Sequence, residues 1–254
     1  RPDRPPPFPV VAEVYPVSLN LPRRFYRVAS AGITPDGFAI LLDGRPVRTP
    51  AGRPLLLPGR ALAEAVTAEW EAQGELIRPP TMPLTQLAST ALDRVGPERP
   101  AILGQLIAYA GTDLLCYRAD QPADLRARQE RDWQPLLDWA ADRLGAPLAV
   151  TAGLLAVSQP AAAIEALAFH LDRQDLWRLT AIQAVTAATG SLLLALALAE
   201  ERIDAAAAWT LSALDETYQI EQWGEDAEAT ARRAALEADI AAAARLLALA
   251  AVPG

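Results

Sequence analysis

Apolar positions along this chain change their period near residue 100. Before that point they form short runs separated by turn residues. Arg24 to Ala29 and Phe38 to Leu42 read as strands, and Asp36-Gly37 and Asp43-Gly44 as turns, the second a tight hairpin into Arg45 to Thr49. Leu55 to Leu57 adds a further short strand. From Gly59 to Gln73 the spacing turns helical, with Leu62, Val66, Glu69 and Trp70 in phase, and Leu84 to Val95 predicts a second helix. Beyond residue 100 the helical period dominates. Helices are predicted over 101–110, from Pro122 to about Leu144, and near 160–171, 174–189, 191–201, 204–223 and 226–250, with a short extended stretch from Leu114 to Tyr117.

Proline usage draws the same line. Seventeen of the 22 prolines lie in residues 1–100 and none between Ala161 and Val252. Proline breaks helix interiors, so the first part is expected to be strand and turn and the last part helix. The fold class is therefore α+β. Residues 1–22 are a Pro-rich, partly flexible lead, and 23–97 a small α+β domain with a curved antiparallel sheet packed by helices. Residues 98–254 form a mainly α-helical C-terminal domain, with the boundary at Gly96-Pro97 and Pro100.

The uncharged run from Leu179 to Ala199 is long enough to cross a bilayer. It contains Thr180, Gln183, Thr186 and Thr189, however, and Gly190-Ser191 splits it. A buried helix or helix pair is expected, with no membrane insertion.

The catalytic inventory is thin. All 23 basic residues are arginine, so no lysine is available to bind phosphate, form a Schiff base or act as a base. His170, Cys116 and Met82 are each the sole residue of their type. That excludes a structural zinc site and leaves no metal, cofactor or catalytic residue to name. One cysteine permits no internal disulfide and fits a reducing compartment. Cys116 alternates with apolar neighbours and reads as a small buried hydrophobe, and His170 as a surface or capping residue. Net charge is −8, divided as +2 over residues 1–100 and −10 over 101–254, which makes nucleic acid a poor partner.

Within the acidic half, DETYQIEQWGED at 215–226 places a carboxylate inside an apolar helix stripe. On one continuous helix Trp209, Ala213, Glu216, Ile220 and Trp223 fall within roughly 80° of one another. Buried there, Glu216 would need a paired donor, with Arg178 or Arg131 as candidates. Residues 200–239 hold eleven acids against three arginines, and acid with exposed tryptophan suits a partner surface made of Glu216, Ile220, Glu221, Trp223 and Glu225. Two other readings stay open. A carboxylate-dependent hydrolase or lyase would need a second convergent acid, and Glu216 and Glu221 stand about 140° apart. A structural adaptor would self-associate through the Trp209/Trp223 stripe.

Six strings in order carry a family resemblance: RFYRVASAG at 24–32, GFAILLDGRPVRTP at 37–50, AVTAEWEAQGELIRPPTMPLTQLASTALD at 65–93, GTDLLCYRA at 111–119, WQPLLDWA at 133–140 and ETYQIEQWG at 216–224. They resemble the Atp-twelve-type chaperones that assemble the catalytic head of the F-type ATP synthase. The resemblance implies a chaperone that needs neither ATP nor metal and is monomeric when free. It would hold the unassembled alpha subunit and shield its subunit-facing surface until beta replaces it. It also implies Glu216 as a client contact and Trp70 as a residue that holds the N-terminal domain together; Asp113 and Trp133 are expected as structural positions too, Trp133 by its place in the helical period. Mitochondrial members carry a long targeting extension and this chain only a short Pro-rich lead. A bacterial cytoplasmic version is expected, with the mitochondrial matrix as the eukaryotic counterpart.

Overall fold

The computed structural model describes residues 21–153, 157–224 and 227–251. By contacts these fall into two units. One holds the residues up to Arg99 with 175–181 and the end of the chain from Ala242; the other holds 100–174 and 182–241.

In the first unit four strands form one antiparallel sheet: β1 (Ala29–Thr34), β2 (Gly37–Leu42), β3 (Arg45–Pro46) and β4 (Leu56–Leu57). β2 is central, pairing with β1, β3 and β4. Its alternation buries Ile40 and Leu42, and α1 (Arg60–Glu71) packs on β1 and β2 with Leu62, Ala63 and Val66 fully buried. Gly37 is required in the first turn. Its φ is +133°, and a Cβ there would lie 2.5 Å from the Leu57 carbonyl oxygen.

The first strand lies five residues later than the aromatic run suggests. Arg24 to Val28 is pinned by side chains instead of a ladder. The Arg24 guanidinium reaches the carbonyls of Glu71 and Gln73 and the Glu71 carboxylate, while the Asp43 carboxylate accepts the N–H groups of Arg27 and Val28. α2 (Pro83–Thr90) and a π-helical turn over Ala91–Val95 form where one helix is predicted.

The EWEAQ string is a set of bolts. Glu69 is buried and its carboxylate caps α2, accepting from Leu84 N at 2.7 Å and Thr85 N at 2.8 Å. Burial raises its pKa against those hydrogen bonds. Gln73 donates to Thr81 Oγ1 and accepts from Arg78 N. Trp70 packs on a cluster of Tyr26, Ala29, Leu42, Ile77 and Met82, and its carbonyl accepts the Tyr26 hydroxyl at 2.6 Å.

The remaining elements are helical: α3 (Arg99–Ala110), α4 (Ala123–Leu144), α5 (Ala161–Asp172), α6 (Leu176–Thr189), α7 (Leu192–Ala199), α8 (Ala205–Ser212), α9 (Leu214–Trp223) and α10 (Ala227–Ala250). One small parallel pair, β5 (Tyr117–Arg118) with β6 (Thr151–Ala152), overlaps the predicted extended stretch at Tyr117 alone. The fold is thus a small antiparallel sheet with helices, followed by a mainly helical region. Leu114–Cys116 is a 3₁₀ turn rather than an extended stretch, because Asp113 caps it through Leu115 N. Cys116 is fully buried, and burial pushes its thiol up to about 12.

Two breaks shape the helices. The uncharged 179–199 run divides at Gly190, φ 70°, giving α6 and an α7 whose eight residues are all buried. Among the described residues, no helix is long and apolar enough to cross a membrane. The second break falls at Ala213, φ −90° and ψ 8°, and splits the predicted 204–223 helix into α8 and α9. Trp133, fully buried in α4, donates its indole N–H to the Leu211 carbonyl at 2.9 Å. In a continuous helix that carbonyl would accept from residue 215.

Candidate partner-binding surface

The helical unit presents α9 between two sets of anchors. Toward α4, Tyr218 is buried and its hydroxyl donates to the Asp124 carboxylate at 2.9 Å. Asp215 accepts from Gln129 Nε2 at 2.8 Å, and burial raises its pKa against that bond. Glu221 is exposed and pairs with Arg128 at 2.7 Å. Toward α10, Glu216 Oε1 accepts from Arg232 at 3.0 Å and Oε2 from Arg233 at 3.1 Å. Arg233 also donates to Thr217 Oγ1 and lies 5.1 Å over the Trp209 ring.

This corrects the stripe in two ways. Glu216, Ile220 and Trp223 do share a face of α9, but Trp209 belongs to α8 across the bend and is half-covered by Arg233. The partners of Glu216 are Arg232 and Arg233. Arg131 bonds its neighbour Asp132 instead. The true partners were countable from the sequence, since the acidic stretch holds only Arg202, Arg232 and Arg233. The ties of Tyr218 to Asp124 and of Asp215 to Gln129 had no sequence signal, because they join residues more than 80 positions apart.

Glu216 and Ile220 are half-buried, Glu221 is exposed, and Trp223 is 79% exposed where Gly224, φ 88°, ends the helix. Glu225 lies outside the described residues. The acids of α9 therefore diverge: Asp215 meets an amide, Glu216 two guanidiniums and Glu221 a third. A general acid–base pair needs two carboxylates converging on one point, which this helix does not make. No group of three or more His, Cys, Asp or Glu could hold a metal among the described residues.

The structural positions lie deeper. Asp113 is fully buried; it accepts from Leu115 N at 3.0 Å, Ser191 Oγ at 2.7 Å and Leu193 N at 3.0 Å, tying the 3₁₀ turn to the start of α7. Burial pushes its carboxyl up to about 6 against the pull of these donors. Arg118, also buried, lies 5.1 Å over the Trp133 ring and donates to the Leu115 carbonyl.

A family profile described as ATP12 chaperone protein matches residues 23–141. The chain is similar to the crystal structure of Atp12 from Paracoccus denitrificans, with 42% identity and a TM-score of 0.86 over 90% of this chain and 98% of that one. A candidate chaperone from Agrobacterium tumefaciens is 43% identical with a TM-score of 0.86, over 90% of this chain and 86% of that one. The mitochondrial protein atp12 of Schizosaccharomyces pombe is 27% identical over 214 residues, which span 80% of this chain and 74% of that one. A fold shared across nearly the whole of a solved relative at this identity leaves one conclusion: the chain belongs to the ATP12 chaperone family, and is a chaperone rather than an enzyme.

Proposed function

We propose that this protein assembles the F-type ATP synthase. It binds the unassembled alpha subunit of the catalytic head, shields the subunit-facing surface, and gives way when beta arrives. Family membership and the resemblance of the six strings support the client class. One observation carries the placement of the surface: α9 ends on a tryptophan 79% exposed, on the same face as the half-buried Glu216. Seven residues apart, the two lie about 20° from one another around the helix. Tryptophan supplies area to an apolar client surface, and Glu216 supplies orientation toward a basic group. The absence of lysine supports action without ATP. Similarity to two bacterial proteins supports a place in the bacterial cytoplasm.

The test is co-expression with the alpha and beta subunits separately, followed by pull-down. The wild type is expected to capture alpha. Glu216→Lys, which sets a third cation beside Arg232 and Arg233, is expected to lose that capture with its far-UV spectrum intact and its melting temperature little changed. Capture of beta alone would overturn the client. Unfolding of the variant would make Glu216 a purely structural tie.

A further inference from the structure

Both carboxylate oxygens of Glu216 are already engaged in the free chain, yet the two arginines holding them are not equivalent. Arg233 has its side chain 16% exposed and is fixed three ways: on Oε2 at 3.1 Å, on Thr217 Oγ1 at 3.1 Å, and over the Trp209 ring at 5.1 Å. Arg232 has its side chain 69% exposed and meets Oε1 at 3.0 Å from the solvent side. An exposed pair of that kind is weak, because each charge is nearly as well solvated apart as together. At the strength typical of such pairs, its arm would stand open for about a sixth to two fifths of the time.

Resting on the reading that Glu216 meets the client, we propose that Arg232 is a built-in competitor for that contact. It occupies Oε1 until a cationic side chain of the client, an arginine or a lysine, displaces it. Arg233 stays in place throughout and holds the carboxylate in the orientation that the incoming cation needs. The free chaperone therefore shows no unpaired acid at this point to passing basic proteins. The bound client, in turn, always faces an intramolecular rival at high effective concentration, which keeps the complex releasable. Arg233 is a positioning residue and Arg232 a specificity-determining one.

The experiment measures affinity of the full chain for the isolated alpha subunit across a salt series, for Arg232→Gln, Arg233→Gln and Glu216→Gln, with a thermal melt of each. Arg232→Gln is expected to bind about two- to sixfold tighter, the reciprocal of the open fraction, with its melt unchanged. Its salt dependence is expected to steepen. In the wild type, salt loosens the competitor and the client pair together, and the two partly cancel; without the competitor only the client pair is screened. Arg233→Gln is expected to bind more weakly. Weaker or unaltered binding by Arg232→Gln, with Glu216→Gln impaired, overturns the competitor alone. Unaltered affinity and salt slope in Arg233→Gln overturn its positioning role. Full binding by Glu216→Gln overturns the underlying client contact instead.

Discussion

Asp113 and Glu216 are both carboxylates inside the helical unit, and both join one element to another, but their donors differ in kind. Asp113 is fully buried and held by backbone N–H groups and a serine hydroxyl. These are neutral dipoles fixed by the fold, so the charge is compensated only by geometry, and burial still pushes the carboxyl up to about 6. Glu216, with its side chain 30% exposed, is held by two guanidiniums that carry their own charge and, for Arg232, their own freedom. An acid held by fixed dipoles specifies where a helix starts. One held by mobile cations can exchange a partner.

Removing each acid should separate these roles, and the largest effect belongs to Asp113. Asp113→Ala strips a cap from the start of α7 and leaves buried N–H groups unpaired, a loss on the order of 3 kcal/mol in a urea melt. A loss within about 0.5 kcal/mol would place Asp113 in the same class as Glu216 and end the contrast. Asp113→Asn tests the charge itself. The folded pKa lies above the ordinary 3.8, so the stability this group contributes is complete below 3.8 and is lost as pH rises through about 6. The deficit of Asp113→Asn relative to the wild type should therefore shrink between pH 4 and pH 7, by at most about 3 kcal/mol. A deficit that grows with pH would mean that the donors, not burial, govern the site. The smallest effect on stability is expected at Trp223. Trp223→Ser should leave the melt within about 0.5 kcal/mol, as surface changes do, while lowering capture of the alpha subunit. Capture at the wild-type level would remove Trp223 from the client surface.

The order of a small sheet followed by helices, the helix run and the uncharged pair at 179–199 were legible because proline content and periodicity act locally. The errors arise where a distant group intervenes. β1 begins at Ala29 rather than Arg24 because Asp43 and Glu71 claim the preceding residues, and ASAGIT carries little strand signal of its own. The helix break at Ala213 carries no glycine or proline; the Leu211 carbonyl is taken by an indole 78 residues earlier in the chain. At the site, Glu216 was legible as a carboxylate needing donors, and Trp223 as an exposed aromatic. That Arg232 and Arg233 answer that need depends on how α10 packs beside α9, which periodicity does not encode. The family strings also divided in a way that sequence alone could not: EWEAQ and GTDLLCYRA turn their carboxylates inward as caps, while the last string carries Trp223 to the surface.

The sequence LLLALALA of α7 has no polar face, and every one of its eight residues is enclosed. Such a segment is compatible with water only while its surroundings stay closed. Synthesis emits it nearly 80 residues after the carboxylate that receives its first turn, so for that interval Asp113 and the site around it wait unfilled in the nascent chain. A variant that leaves α7 undocked would turn the chaperone into a client.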